Sequence, residues 1–171
     1  MKLFMKSGNE LQKKHYNMKP IHLFFILFVL GTIPLAAQDI NPAYDSALAK
    51  KLGGDDYGMK RYVLVILKTG KNDVKDTLLR DSLFAGHFAN INRLADAGKL
   101  IVAGPLVKND NQYRGIFILN VPTFEEANEL LKADPTIKEH IFDVELYRWY
   151  GSAALPEYLE AHKKIEKFKI E

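Results

Sequence analysis

Runs of β-branched residues alternate along this chain with stretches in which apolar residues recur every three or four positions, and the order of these changes predicts its elements. Residues 61–68, RYVLVILK, form a β-branched run flanked by charge, the pattern of a central strand buried on both faces. Thr69, Gly70, Lys71 and Asn72 break it, and a polar stretch at 73–80 leads onward. Phe84, Phe88, Ile91, Leu94 and Ala95 then recur at helical spacing, with His87 on the same face; this predicts an amphipathic helix. Gly98 reads as its C-cap, and Lys99 suits the negative helix end. Residues 100–103, LIVA, give a second strand closed by Gly104 and Pro105. A polar turn at 108–112 predicts a hairpin with a third strand at 113–121.

Thr123 and Glu126 stand at the spacing of a capping box. Ala127, Leu130 and Leu131 supply the inward stripe of the helix it opens. Asp134 precedes Pro135, which fits a first helical position because its missing N–H costs nothing there. A fourth strand at 141–150 is expected to end at Gly151, and a charged amphipathic helix at 156–168 closes the chain. The sequence of elements is β-α-β-β-α-β plus a tail helix. It predicts an α+β, ferredoxin-like fold with a four-stranded antiparallel sheet and two helices on one face. Strand one is apolar on both sides, so the open sheet face needs a cover; a homodimer packed face to face is the simplest.

Upstream, residues 18–38 run from Lys19 through an apolar stretch at 23–30 to Pro34, Leu35, Ala36 and Ala37. That is the order of a secretory signal, with cleavage expected near Ala37 and translation starting at Met18. The apolar part is short of the roughly 20 residues that cross a bilayer. A periplasmic or secreted protein, with no stable membrane insertion after cleavage, is therefore expected. The domain plan is 1–37 extension and signal, 38–59 linker with room for one weak helical turn at 44–52, 60–151 compact domain and 152–171 C-terminal helix.

Charge and composition narrow the chemistry. The chain carries 24 Lys and Arg, 21 Asp and Glu and no cysteine. Setting aside the five lysines and one glutamate of residues 1–37 leaves 19 basic and 20 acidic side chains. The body is thus not basic, and the electrostatic footprint of a nucleic-acid partner is missing. Without cysteine there is no disulfide, thiolate ligand or thiol nucleophile. No phosphate loop, serine elbow or zinc spacing is present, and no cofactor or metal is expected.

His87 is the first candidate for chemistry, because imidazole exchanges a proton near neutral pH; equally, it could be a core histidine satisfied by a backbone carbonyl. Asp134 could be an N-cap or could orient His87 through one ring nitrogen. Gly104 and Pro105 could wall a pocket or end a strand. Arg114 could hold an anionic substrate or sit in solvent, and Tyr62 could line a cleft or belong to the core.

The helix pattern H-x(6)-L-x(3)-G-K-L from His87 to Leu100, the A-G-P-L of 103–106, the R-G-I-F-I-L of 114–119 and the A-x-x-L-x-x-x-D-P ending at Asp134 and Pro135 resemble the YciI-like (YCII-related) family across roughly residues 61–150. The resemblance implies a dimeric ferredoxin-like α+β barrel and a His-Asp pair in a cleft, carried here by His87 and Asp134. One branch of the family is associated with dehydrochlorination of a muconate-type ring-cleavage product. By that resemblance the pair would be a general acid/base acting on an unknown small molecule, in a cofactor-independent lyase or hydrolase. A non-catalytic ligand-binding or interaction module of the same fold is the alternative.

Overall fold

The computed structural model describes residues 41–168 and divides the chain after Tyr44. The expected signal segment lies outside the described residues. Of the first unit, residues 41–44 form a turn in which Asn41 Oδ1 accepts the Ala43 N–H at 3.0 Å. The second unit begins with helix α1, Ser46–Leu52. Asp45 caps it by accepting the N–H groups of Ala47 and Leu48, and Gly53 ends it at φ 72°, a conformation that favours glycine. Strand β1, Met59–Thr69, is followed by α2, Thr77–Asp96, β2, Leu100–Pro105, and β3, Tyr113–Leu119. Then come α3, Phe124–Leu131, α4, Pro135–Lys138, and β4, Phe142–Ser152. A 3₁₀ turn at Leu155–Glu157 leads into α5, Tyr158–Ile165.

The four strands form one sheet in the order β2-β3-β1-β4, every neighbour antiparallel. This is the predicted ferredoxin-like α+β arrangement. Val63, Val65 and Leu67 of β1 alternate inward with Phe117 and Leu119 of β3, and Leu94 of α2 with Ala127 and Leu131 of α3 close over them. The alternate residues of β1, Leu64 and Ile66, face the other way beside Ile118 and Ile116 and remain partly exposed.

Several boundaries differ from the sequence reading, each for a local reason. Residues 45–59 are not a free linker. Asp55 Oδ1 accepts the N–H groups of Tyr57 and Met59, and the Ala153 N–H donates to the Gly58 carbonyl at 2.8 Å, which ties this segment to the end of β4. Helix α2 starts well before the apolar stripe, because Asp76 accepts the N–H groups of Leu78 and Leu79 and so caps the polar lead-in. Gly151 does not stop β4. It is buried within the strand, where a Cβ would come within 2.5 Å of the Trp149 ring. The tail helix is shorter than expected, since Pro156 belongs to the 3₁₀ turn and α5 ends at Ile165. The Thr123 and Glu126 pair is half a capping box. Thr123 Oγ1 accepts the Glu126 N–H at 3.2 Å, while the Glu126 carboxylate faces the threonine hydroxyl.

Candidate active site

The middle of a long helix meets the start of a short one over the sheet. Helix α2 buries His87, Asn90 and Leu94, so two of the three most protected positions on a 20-residue helix are polar. Such groups are held in place only if their hydrogen bonds are met. Helix α4 is one turn long and exists because Asp134 caps it and Pro135 supplies a preset φ at its first position. Gly86 lets the two come close. A Cβ there would lie 2.7 Å from Pro135 Cγ, inside any normal carbon contact.

The contact brings His87 and Asp134 together. Nδ1 of His87 lies 2.7 Å from Asp134 Oδ2, with His87 6% exposed and Asp134 0%. The two carboxylate oxygens divide their work. Oδ1 accepts the Thr136 N–H at 3.0 Å and the Thr136 hydroxyl at 2.6 Å, which is the helix cap. Oδ2 takes His87, with the Asn90 amide at 3.5 Å on the same oxygen. Arg93 in turn donates to Asn90 Oδ1 at 2.7 Å. One side chain thus both caps α4 and pairs with His87.

Burial on its own would raise the Asp134 carboxyl above its ordinary range. The hydrogen bonds from His87 and Thr136 outweigh it and hold the group lower, so the carboxylate stays ionised. An ionised carboxylate can only accept. Nδ1 must therefore carry the shared proton, which leaves the ring lone pair on Nε2. Among the described residues the hydrogen bonds of this ring fall at Nδ1, and no buried side-chain nitrogen or oxygen lacks a partner. Nε2 is thus the ring nitrogen left without a hydrogen bond to a described residue. Aromatic rings surround the rest: Phe117 stacks on the imidazole at 5.9 Å between centroids, and Phe88 and Phe142 stand edge-on at 5.6 Å.

The other sequence candidates scatter. Arg114 is exposed, and its Nε donates to Thr69 Oγ1 at 2.6 Å. It reaches this position through a bulge in β3, where Leu67 pairs with Gly115 and Lys68 with Tyr113. Tyr62 lines no cleft. It is fully buried against Trp149, and its hydroxyl donates to the Ser152 carbonyl at 2.8 Å. Gly104 and Pro105 lie on edge strand β2, and a Cβ on Gly104 would meet nothing within 4 Å. The tight position is its neighbour, since a Cβ on Gly115 would lie 2.9 Å from the Gly104 carbonyl oxygen. Asn90, Thr136 and Gly86 escaped the sequence reading, though an asparagine in the middle of a helix's apolar face was a signal for the first.

A cavity of about 220 Å³ opens beside Phe142, with Arg80, Arg114 and Thr69 in its lining; His87 and Asp134 do not line it. Among the described residues no group of three His, Asp or Glu is placed to hold a metal ion, and no helix is long and apolar enough to cross a membrane.

No curated protein matches the chain. Among solved structures it is similar to the 5-chloro-2-hydroxyhydroquinone dehydrochlorinase of Burkholderia phenoliruptrix AC1100 in complex with 2,5-dihydroxybenzoquinone, at 19% identity over 51% of this chain and 92% of that one. The TM-score is 0.39, too low to bear on activity or ligand. The model of the YCII-related domain matches residues 62–150, more than half of the 171. The chain therefore belongs to the YCII-related domain family.

Proposed function

We propose that this protein transfers protons in a small-molecule cleft, with His87 as general base and acid and Asp134 as the group that orients it. The observation that carries this reading is the 2.7 Å contact of Nδ1 with a buried carboxylate, which leaves the ring lone pair on Nε2. Nε2 would take a proton from a carbon next to an activating group. The imidazolium so formed keeps its Nδ1–H on Asp134, whose negative charge stabilises it. Return of the proton to a leaving group or to water restores the neutral ring. Abstraction from carbon with loss of a leaving group is lyase chemistry; the same base taking its proton from an attacking water would be that of a hydrolase. The test is deuterium incorporation from D2O into a panel of small carbon acids, such as β-keto esters and unsaturated lactones. Exchange with the wild type and none with His87→Ala is expected; equal exchange in both overturns the assignment.

A second reading has its own support. The cavity beside Arg114 does not touch His87, which suits a non-catalytic ligand-binding module of the same fold, with the pair serving to dock α4. Binding without any exchange would favour it.

Two further assignments accompany either reading. We propose a homodimer through the open sheet face, supported by the row Val102, Ile118, Leu64 and Tyr147 that runs across all four strands. We also propose export to the periplasm or beyond, supported by the signal-like order of residues 18–38. A mature protein recovered from cells with residues 18–37 still attached would overturn the latter.

A further inference from the structure

We infer that the cavity beside the His87 pair recognises a small organic carboxylate. It opens where β1 runs out at Thr69 and β4 begins at Phe142, and its volume of about 220 Å³ equals that of roughly seven waters. A single ring or a short unsaturated carbon frame fits that space. The lining is mixed. Val74, Ile141 and Phe142 give apolar lining, and Arg80 and Arg114 add two cationic side chains to it.

Arg114 is prepared for an anion. Its Nε donates to Thr69 Oγ1 at 2.6 Å, which fixes the guanidinium plane through its inner donor. The terminal nitrogens Nη1 and Nη2 are then the fork that meets both oxygens of a carboxylate. Arg80 Nε stands 4.0 Å from Asp81, at the limit of an ion pair. Asp73, the one acid in the lining, is paired with Lys75. The local balance thus favours one negative charge. The apolar wall separates this ligand class from inorganic phosphate, which has no carbon frame to place against Phe142.

The same wall links the cavity to the proposed chemistry. The Phe142 ring that lines it lies 5.6 Å from the imidazole of His87, centroid to centroid. A frame packed on Phe142 with its carboxylate on Arg114 would be separated from the imidazole by that one ring. The use of the cavity by His87 rests on the proposed function, whereas carboxylate binding does not.

The experiment is titration of the full chain with benzoate, benzamide and inorganic phosphate, followed by calorimetry and by amide NMR shifts. Saturable benzoate binding is expected, with shifts centred on Thr69, Arg114 and Phe142. Arg114→Gln should weaken it at least about tenfold, as loss of a charged hydrogen-bond pair does, and Arg80→Gln should weaken it less, both with unchanged thermal stability. The inference is overturned by absence of benzoate binding, by undiminished binding in Arg114→Gln, by benzamide binding equally well, or by phosphate competing at equal affinity. If His87→Ala leaves proton exchange intact while benzoate still binds, the proposed function fails and the carboxylate site stands.

Discussion

Asp134→Asn isolates the charge of the buried pair from its shape. Asparagine keeps a side-chain oxygen for the Thr136 N–H and hydroxyl, now 3.0 and 2.6 Å from Oδ1, so the cap on α4 survives. The amide nitrogen then takes the place of Oδ2, where the His87 ring and the Asn90 amide both arrive as donors at 2.7 and 3.5 Å. To avoid donor facing donor, the ring must move its proton to Nε2, which removes the lone pair from that nitrogen. A hydrogen bond to a charged group contributes about 1.5–3 kcal/mol, and with Asp134 fully buried no water replaces it. The variant should lose about 2 kcal/mol, or roughly 5–10 °C in Tm.

The pH dependence has a definite sign. Because the folded carboxyl titrates below its ordinary value, its contribution is fully present above the unfolded value of about 3.9 and is lost as pH falls through the lower folded value. The wild-type stability curve should therefore drop in that acid window, and the drop should be smaller in Asp134→Asn. Calorimetric melts from pH 7 down to the acid limit measure both quantities. Equal Tm values at neutral pH together with superimposable acid limbs would refute the reasoning.

Other predictions concern packing and assembly. Gly86→Ala places a methyl 2.7 Å from Pro135 Cγ and should cost about 1–3 kcal/mol in denaturant melts by forcing α2 from α4; an unchanged midpoint would mean that the close approach is dispensable. Gly115→Ala should destabilise by a similar amount, about 1–3 kcal/mol, whereas Gly104→Ala should shift stability by less than about 0.5 kcal/mol; the reverse ranking would restore Gly104 as the tight position. Leu64→Asp, at the middle of the open sheet face, should convert the proposed dimer to a folded monomer in sedimentation experiments, checked by far-UV circular dichroism. A dimer that persists in that variant places the interface elsewhere.

The parts of the fold legible in the sequence were those governed by one local rule. Val63, Val65 and Leu67 announce a strand whatever surrounds them, and Asp134 with Pro135 announces a helix start. The pairing of His87 with Asp134 is another matter, since 47 positions separate them and no periodicity spans that distance; the family pattern supplied it. Tyr62 was misplaced because a tyrosine in a strand has the same pattern whether it lines a cleft or is sealed by Trp149 and Ser152. Gly104 stood out in the sequence because Pro105 beside it marks a corner, whereas the tight contact is at Gly115 on the neighbouring strand, which no local pattern records. Residues 45–59 read as a linker because their composition is polar. Their order comes from caps and turns at Asp45 and Asp55 and from a bond between the Gly58 carbonyl and Ala153, a long-range contact that composition does not record.

The central claim is that a buried, ionised Asp134 fixes the His87 tautomer and leaves Nε2 as the base. It is tested most directly by the imidazole nitrogen shifts of 15N-histidine-labelled protein, measured above the titration of the ring. A protonated Nδ1 and a bare Nε2 are expected for His87 in the wild type, reversing in Asp134→Asn. A proton on Nε2 in the wild type, or a tautomer indifferent to the substitution, would contradict it.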